Sequence, residues 1–271
     1  MAFQVEGKYA LITGGASGLG LLYAKELLRN GLKGVTLADM SEEFGEKALK
    51  EIEEEFGPDR AIFVKTDVVD YQQFDNISIL DAYQKTVEKF RNVDILINNA
   101  GILNDAVWEK QIAININGTI HGILLGLEKY FPKYKQGTEA LIVNISSTAG
   151  LQGYGHVPVY CATKHAVIGM GRGWSDPFLY ERTKVRFITV CPGVTLTPLI
   201  FDMGGRNMGG IYEEFLQKNG EKWVSQEPDH MAKEMVNIIK NASNGTIWVV
   251  EGGDPAYEYI PAERRGVLSK K

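Results

Sequence analysis

The sequence has few cysteines, and neither of them is placed for a disulfide scaffold. The two are Cys161 and Cys191, which lie in apolar segments without a CxxC spacing. We therefore expect two free, buried thiols in a reduced, intracellular protein.

The sequence also lacks a strong excess of positive or negative charge, and it lacks long apolar runs. The formal net charge is −5, without a Lys/Arg cluster, so we expect neither nucleic acid nor an anionic membrane as a partner. No apolar run approaches the roughly 18 residues of a membrane helix. The first predicted strand begins near Lys8, which leaves no room for a signal or transit peptide. The expected location is therefore the cytoplasm.

The histidines show no metal-binding pattern. The sequence has four, and none has a ligand spacing with another histidine or with a cysteine: His121, His156, His165 and His230. A lone histidine is more often structural or solvated than a ligand, so no metal site is expected.

What is present is an alternation of apolar strands and helix-length segments. The hydrophobic share of 44% and charged share of 23% are typical of a globular protein. Continuous apolar runs separated by helices predict a parallel sheet covered on both faces. The predicted strands lie at about 8–13, 35–38, 61–64, 93–97, 140–145, 185–190 and 246–250. We expect a single α/β domain over 1–271, a Rossmann fold with a doubly wound parallel sheet of about seven strands.

A glycine-rich turn follows the first strand. It runs from Gly14 to Gly20 and leads into apolar residues at helical spacing. Strand, glycine turn and helix form an order that binds phosphate, because the backbone and the helix N-terminus can approach a pyrophosphate. A plain tight turn remains the alternative, since the spacing is G-x-x-x-G-x-G and not G-x-G-x-x-G.

Asp39 ends the second strand, close to the place where an acid binds the ribose hydroxyls of NAD. The carboxylate would repel the 2′-phosphate of NADP, and neighbouring Gly15, Ala16 and Met40 offer no cation. NAD is therefore the predicted cofactor. The alternative role for Asp39 is a helix cap.

Tyr160 and Lys164 are four residues apart and share one face of a helix. A nearby ammonium favours the phenolate, so the pair could form an acid/base site. The alternative is an ordinary half-buried aromatic beside a solvated lysine. Ser147 supports the catalytic interpretation, because it stands where the apolar run 140–145 turns polar, and its hydroxyl could polarise a substrate oxygen.

The segment 193–223 is rich in glycine, methionine and aromatic residues. It could close over an apolar ligand as a substrate loop, or form a dimer contact or a mobile loop. The predicted substrate residues are Val157, Phe201, Met203 and Tyr212. Their apolar character favours a lipid-like or terpenoid secondary alcohol, or its ketone, as substrate.

The ordered motifs resemble those of one family. They are Thr13-Gly14-x-x-x-Gly18-x-Gly20, Asn98-Asn99-Ala100-Gly101, Ser147, Tyr160-x-x-x-Lys164 and Pro192-Gly193. In this order they resemble the short-chain dehydrogenase/reductase family over essentially the whole chain. Within it the chain is most similar to the insect-type alcohol dehydrogenases and the NAD-linked hydroxyprostaglandin dehydrogenases.

The resemblance implies a catalytic role for four residues. Tyr160 would be the acid/base and Ser147 would hold the substrate oxygen. Lys164 would lower the pKa of the tyrosine and bind the nicotinamide ribose. Asn115 would hold a helix open around a water that links Lys164 to solvent. A non-enzymatic binding protein on the same fold is the rival interpretation.

The resemblance also implies the NAD contacts. The pyrophosphate turn would be Gly14, Ser17, Leu19 and Gly20, the adenine contacts Asp67 and Val68, the ribose side Asn99, Ala100 and Gly101, and the carboxamide segment Pro192, Val194 and Thr197. Val157 departs from the glutamine that prostaglandin enzymes use there, which favours a simpler alcohol over a prostaglandin. Small secondary alcohols and hydroxyprostaglandin-like lipids remain alternatives.

Apolar helices at about 105–134 and 157–181 predict a homodimer or homotetramer.

Overall fold

The central element is an eight-stranded sheet. The computed structural model describes residues 2–71, 78–201, 203–219 and 223–262. The strands of the sheet are β1 (Tyr9–Thr13), β2 (Gly34–Asp39), β3 (Ala61–Lys65), β4 (Ile95–Asn98), β5 (Ala140–Ile145), β6 (Val185–Pro192), β9 (Ile247–Val250) and β10 (Tyr257–Glu258). Their order across the sheet is β10-β9-β6-β5-β4-β1-β2-β3. Two further short strands, β7 (Val194–Thr195) and β8 (Ser225–Gln226), pair in parallel with each other.

All seven predicted strands are present and mutually parallel, which confirms the doubly wound fold. The additional strand is β10, which pairs antiparallel with β9. Both of its residues are exposed, so no apolar run marks it in the sequence.

Helices cover both faces of the sheet. On one face the core contains residues of α1 (Gly18–Arg29), α2 (Glu42–Phe56) and α10 (Pro228–Asn241). On the other face it contains residues of α3 (Ile79–Phe90), α5 (Thr119–Leu125) and α6 (Phe131–Tyr134). Most strand residues are therefore buried on both sides, as their continuous apolar runs predict.

The predicted helix 105–134 is interrupted. A 3₁₀ turn at Asp105–Val107 leads into α4 (Trp108–Ile112), and π-helical turns at Ala113–Gly118 and Gly126–Tyr130 flank α5. A π turn widens the helix locally and is often found at functional sites. The first of these turns contains Asn115.

Two other predicted helices differ in extent. The helix predicted from 157 to 181 is divided into α7 (Pro158–Trp174) and α8 (Pro177–Thr183), where Asp176 caps the second helix and Pro177 begins it. The sequence also predicts a long polar helix from about Asp70 to Phe90, and in the structure this helix, α3, begins at Ile79, behind a capping box of Ser78 and Asp81. Its positions 72–77 lie outside the described residues.

The strand order places a binding crevice between β1 and β4. From β1 the chain proceeds through β2 to β3 at one edge, whereas β4, β5 and β6 follow in the other direction. Ligands of open α/β sheets bind at the carboxyl ends of the strands where the order reverses. The glycine turn follows β1 and the Asn99-Ala100-Gly101 motif follows β4, so both motifs meet there.

The segment 193–223 is anchored at both ends. Val194 and Thr195 of β7 pair with Ser225 and Gln226 of β8, and α9 (Ile211–Asn219) lies between the two strands. The glycines Gly205, Gly209 and Gly210 adopt positive φ in the connection, which other residues adopt only with strain.

Candidate active site

The glycine turn is closely packed against the end of β4. Asn99 Nδ2 donates to the carbonyl oxygens of Thr13 and Gly14, at 3.0 Å each. Gly14 has a φ of +61°, and a Cβ there would lie 3.0 Å from the same Nδ2 atom. A Cβ on Gly20 would overlap the Gly14 carbonyl oxygen. The turn therefore requires glycine at both positions for its own packing.

Asp39 supports this turn from the end of β2. Its Oδ2 accepts the Ala16 N–H at 3.1 Å and its Oδ1 accepts the Ser41 N–H at 3.1 Å. The cap of α2 is Ser41, whose side chain accepts from Phe44 N. The alternative interpretation of Asp39 as the helix cap is therefore wrong.

A single cavity of about 1550 Å³ connects the nucleotide motifs to the Ser-Tyr-Lys motif. Every predicted cofactor residue lines it except Gly20, which packs behind the turn. At one end lie the carboxylates of Asp39 and Asp67, and the cavity extends past Tyr160 to Trp223.

Ser147, Tyr160 and Lys164 lie together in the cavity wall. The Ser147 hydroxyl oxygen accepts the Ala149 N–H at 3.1 Å, which fixes the side chain at the end of β5. Lys164 Nζ donates to the Ile145 carbonyl at 3.0 Å and lies 5.6 Å from the centre of the Tyr160 ring. The three predicted catalytic side chains, one just after β5 and two on α7, are thus brought together.

Burial has the largest effect on the pKa values of Tyr160 and Lys164. It raises the pKa of Tyr160 well above its ordinary value, and a hydrogen bond with Ser147 lowers that pKa in part. Burial also lowers the pKa of Lys164 to about 8. The predicted lowering of the tyrosine pKa by Lys164 stays a prediction.

Asn115 lies behind the cavity wall, in the first π turn. Its Oδ1 accepts the Ile102 N–H at 2.9 Å, and its Nδ2 donates to the Ile102 carbonyl at 2.9 Å and to Thr163 Oγ1 at 3.1 Å. A Cβ on Gly101 would lie 3.2 Å from Asn115 Oδ1 and 3.5 Å from Lys164 Nζ. Both polar atoms therefore face one small space that glycine leaves open.

Asp105 was missed by the sequence analysis. Its carboxylate is fully buried and accepts the backbone N–H groups of Val159 at 2.8 Å and Tyr160 at 2.9 Å. The available signal was indirect: α7 begins with Val157-Pro158, which supplies no side-chain cap. The backbone N–H groups at that helix end therefore need an acceptor from another part of the chain, and Asp105 supplies it.

The substrate end of the cavity differs in part from the prediction. Val157 and Met203 line it, but Phe201 and Tyr212 are not among the lining residues. Phe201 is 53% exposed, although its neighbours Ile200 and Met203 line the cavity, and Tyr212 lies in the first turn of α9. The other apolar and aromatic lining residues there include Leu103, Tyr154, Leu216 and Trp223.

His156 also lines this end and was not predicted. Its ring stacks on Trp223 at 4.8 Å and on Phe215 at 6.0 Å between centroids. Burial lowers the pKa of His156, although the charges of Asp105 and Glu213 raise it. His156 is therefore neutral at pH 7, and its ring packs with Trp223 and Phe215 as one aromatic side of the cavity.

The remaining histidines and the cysteines have structural contacts. His121, His165 and His230 each bond to a backbone carbonyl, and within the described residues no group of three potential ligands could hold a metal ion. Cys161 and Cys191 are free and buried, as predicted. Burial raises the pKa of both, that of Cys191 to about 12, so both are protonated thiols at neutral pH.

Comparison with known proteins identifies the family. A model of the short chain dehydrogenase family matches residues 8–203. The chain belongs to the short-chain dehydrogenase family. It is therefore an oxidoreductase of that family, and the predicted resemblance is confirmed.

Relatives and solved structures agree with this assignment. Rat (Rattus norvegicus) 15-hydroxyprostaglandin dehydrogenase [NAD(+)] is 36% identical over 248 residues, which cover 90% of this chain and 91% of the relative. Alcohol dehydrogenase 1 of Ceratitis capitata is 32% identical, covering 92% and 94%. The crystal structure of levodione reductase matches with a TM-score of 0.71 and 28% identity, covering 92% of this chain and 97% of that chain.

Proposed function

We propose that this chain oxidises a secondary alcohol with a substantial apolar body, lipid-like or terpenoid in character, to the ketone with NAD. The observation that carries the proposal is the single cavity that joins the Asp39 end, the Ser147-Tyr160-Lys164 group and an apolar end lined by Val157, Met203 and Trp223. Nucleotide and alcohol can therefore occupy one connected space on either side of Tyr160.

The residues present fit a dinucleotide. The glycine turn leaves its backbone open to a pyrophosphate beside the N-terminus of α1, and Asp39 holds a carboxylate toward the same cavity. Asp67 and Val68 line the adenine side, and Pro192, Val194 and Thr197 line the opposite side. NAD, the cofactor predicted from Asp39, is also the one in the name of the rat relative.

When bound, NAD supplies the hydride acceptor. Ser147 donates a hydrogen bond to the substrate oxygen. Its hydroxyl hydrogen is available for this because its contact with the Pro192 carbonyl is long, at 3.5 Å, while Ala149 N–H holds the oxygen in place. Tyr160 removes the hydroxyl proton from that oxygen. Lys164 holds the nicotinamide ribose and, when charged, favours the phenolate.

Asn115 supports this proton path. The space between Asn115 Oδ1 and Lys164 Nζ beside Gly101 is bounded by polar atoms, and polar cavities of this kind hold water. A water there would connect Lys164 with solvent through the π turn.

Hydroxyprostaglandin-like lipids are the second candidate substrates. Two cations, Lys110 and Arg206, line the substrate part of the cavity, whereas the lining carboxylates, Asp39 and Asp67, lie at the nucleotide end. A substrate with an acid group beyond its apolar body would be attracted to these cations.

We also propose a homodimer or homotetramer in the cytoplasm. Ile112 in α4, and Ile114 and Ile116 in the first π turn, are only half-buried and could be covered by a second copy of the chain. Ile123 and Leu125 are buried in the core of the chain itself, so they do not support an interface. Among the described residues, no helix is long and apolar enough to cross a bilayer. Sedimentation at micromolar concentration should give a dimer or tetramer, and a stable monomer would contradict this.

The test of the function is NADH formation with a panel of secondary alcohols. Wild-type protein should produce NADH fluorescence, and Tyr160→Phe should lower kcat by about 10²- to 10⁴-fold, because it deletes the oxygen that transfers the proton. NAD binding by Tyr160→Phe should stay near wild type. Binding of NAD without turnover of any alcohol or ketone would favour the rival, a non-enzymatic binding protein.

A further inference from the structure

The N-terminus of the helix that carries Tyr160 is held by a residue of another segment. Val157 precedes α7 without a side-chain cap, and Pro158 at the first position has no N–H. The first backbone donors that need a partner are therefore those of Val159 and Tyr160. Asp105 accepts both, from 54 and 55 residues earlier in the chain.

The carboxylate of Asp105 is itself held firmly. Gln111 Nε2 donates to its Oδ1 at 2.8 Å, and Asp105 and Gln111 are both completely buried. The other end of the same amide accepts the Asn104 N–H. A carboxylate at a helix N-terminus is also favoured by the partial positive charge of that end. The position of the Asp105 carboxylate is thus fixed by hydrogen bonds from α4 and α7.

Asp105 further contacts the segment at the substrate end. Its backbone N–H donates to the Arg206 carbonyl at 2.8 Å, close in sequence to Met203, which lines the cavity. One buried residue therefore connects the start of α4, the first turn of α7 and the substrate segment.

We propose that Asp105 is a positioning residue, which sets the place of Tyr160 relative to Ser147 and the substrate oxygen. The inference rests on the proposed function. Proton transfer requires heavy atoms about 2.6–3.2 Å apart, and a displacement of about 1 Å can cost roughly 10²-fold in rate. Tyr160 is the third residue of α7, so a frayed first turn would move its side chain directly.

The experiment compares Asp105→Asn and Asp105→Ala with wild type, at saturating NAD. Asn has nearly the same volume but sets an NH₂ group against one of the two backbone donors, whereas Ala removes both acceptors. We expect kcat to fall by about 10- to 100-fold in Asp105→Ala and by less in Asp105→Asn, following this misplacement cost. The Kd of NAD should stay within a factor of about two, because Asp105 does not line the cavity. The primary deuterium isotope effect on kcat should rise, because the chemical step slows.

Asp81→Asn is the matched control. Asp81 is also a buried, helix-capping carboxylate, but α3 carries none of the predicted site residues. This variant should lose thermal stability while its kcat and isotope effect remain those of wild type. Gln111→Met, which removes the brace and leaves Asp105 in place, should show a smaller loss of kcat and serves if Asp105→Ala does not fold.

Hydrogen exchange separates this proposal from the proposed function. Faster exchange in the first turn of α7 in Asp105→Asn, but not in Asp81→Asn, supports the positioning role even if no alcohol in the panel is oxidised. Unchanged exchange there, or Asp105 variants that lose stability but keep the wild-type kcat, would overturn it.

Discussion

At the scale of single residues, the preference for NAD over NADP is predicted from Asp39, and a substitution there should keep the support of the glycine turn. Because Asp39 Oδ2 also accepts the Ala16 N–H, Asp39→Ala would remove a structural contact together with the charge. Asp39→Asn removes the charge and keeps one oxygen that can still accept the Ala16 N–H, although its NH₂ group then faces the Ser41 N–H. We expect it to weaken NAD and to bind NADP better than wild type does, since the repulsion of the 2′-phosphate is lost.

Titration of both nucleotides into wild type and both Asp39 variants measures this preference. Asp39→Ala should bind NAD more weakly than Asp39→Asn, because the turn loses its support. Equal affinity of wild type for NAD and NADP would remove Asp39 from the selectivity.

Lys164 gives a prediction about stability and pH. Burial lowers its pKa from the ordinary 10.5 to about 8, so between these values the unfolded chain binds more protons than the folded chain. The contribution of Lys164 to the free energy of unfolding therefore rises with pH through this window. Lys164→Met lacks the titrating group and should lack this rise.

Urea unfolding of nucleotide-free wild type and Lys164→Met at pH 7 and pH 9.5 checks the sign. Wild type should gain stability relative to the variant on going to pH 9.5. The comparison between variants removes the contributions of the buried tyrosines, which are common to both. A difference that does not change with pH would show that the pKa of Lys164 in the folded protein is close to its ordinary value, which would contradict the effect of burial.

At the scale of elements, the glycine turn depends on the close approach of α1 to Gly14. Gly20→Ala would place a methyl group against the Gly14 carbonyl oxygen and 2.7 Å from Asn99 Nδ2. We expect the turn to shift and NAD binding to be lost or weakened at least tenfold, a cost of about 1.4 kcal/mol or more.

Gly173→Ala is the control for this substitution. Gly173 lies in α7, and a Cβ there meets nothing within 4 Å. It should leave NAD binding unchanged and stabilise the helix by about 0.5–1 kcal/mol. Isothermal titration and thermal unfolding measure both effects, and normal NAD binding by Gly20→Ala would contradict the packing argument.

The sequence predicts those elements whose signal is local. Seven strands follow from apolar runs, and Tyr160 and Lys164 follow from a helical spacing. Strand β10 has two exposed residues and gives no such signal. Asp105 gives no local signal either, because its partners lie 54 and 55 residues away and only the folded chain brings them together. Phe201 has the right chemistry for a pocket, but its side chain is exposed and does not line the cavity, and nothing in the local sequence distinguishes it from Met203, which does.

For the whole molecule, the cavity predicts how activity depends on substrate size. Each methylene that enters an apolar pocket contributes about 0.8 kcal/mol, which is at most about fourfold in kcat/KM. We expect kcat/KM to rise from butan-2-ol to octan-2-ol and cyclic secondary alcohols, because Val157, Met203 and Trp223 line the space beyond Tyr160. Met203→Ala should flatten this rise, whereas Phe201→Ala, at an exposed position outside the lining, should not. A fall in kcat/KM with added carbons would mean that the segment 193–223 closes the pocket and that the enzyme acts on small alcohols.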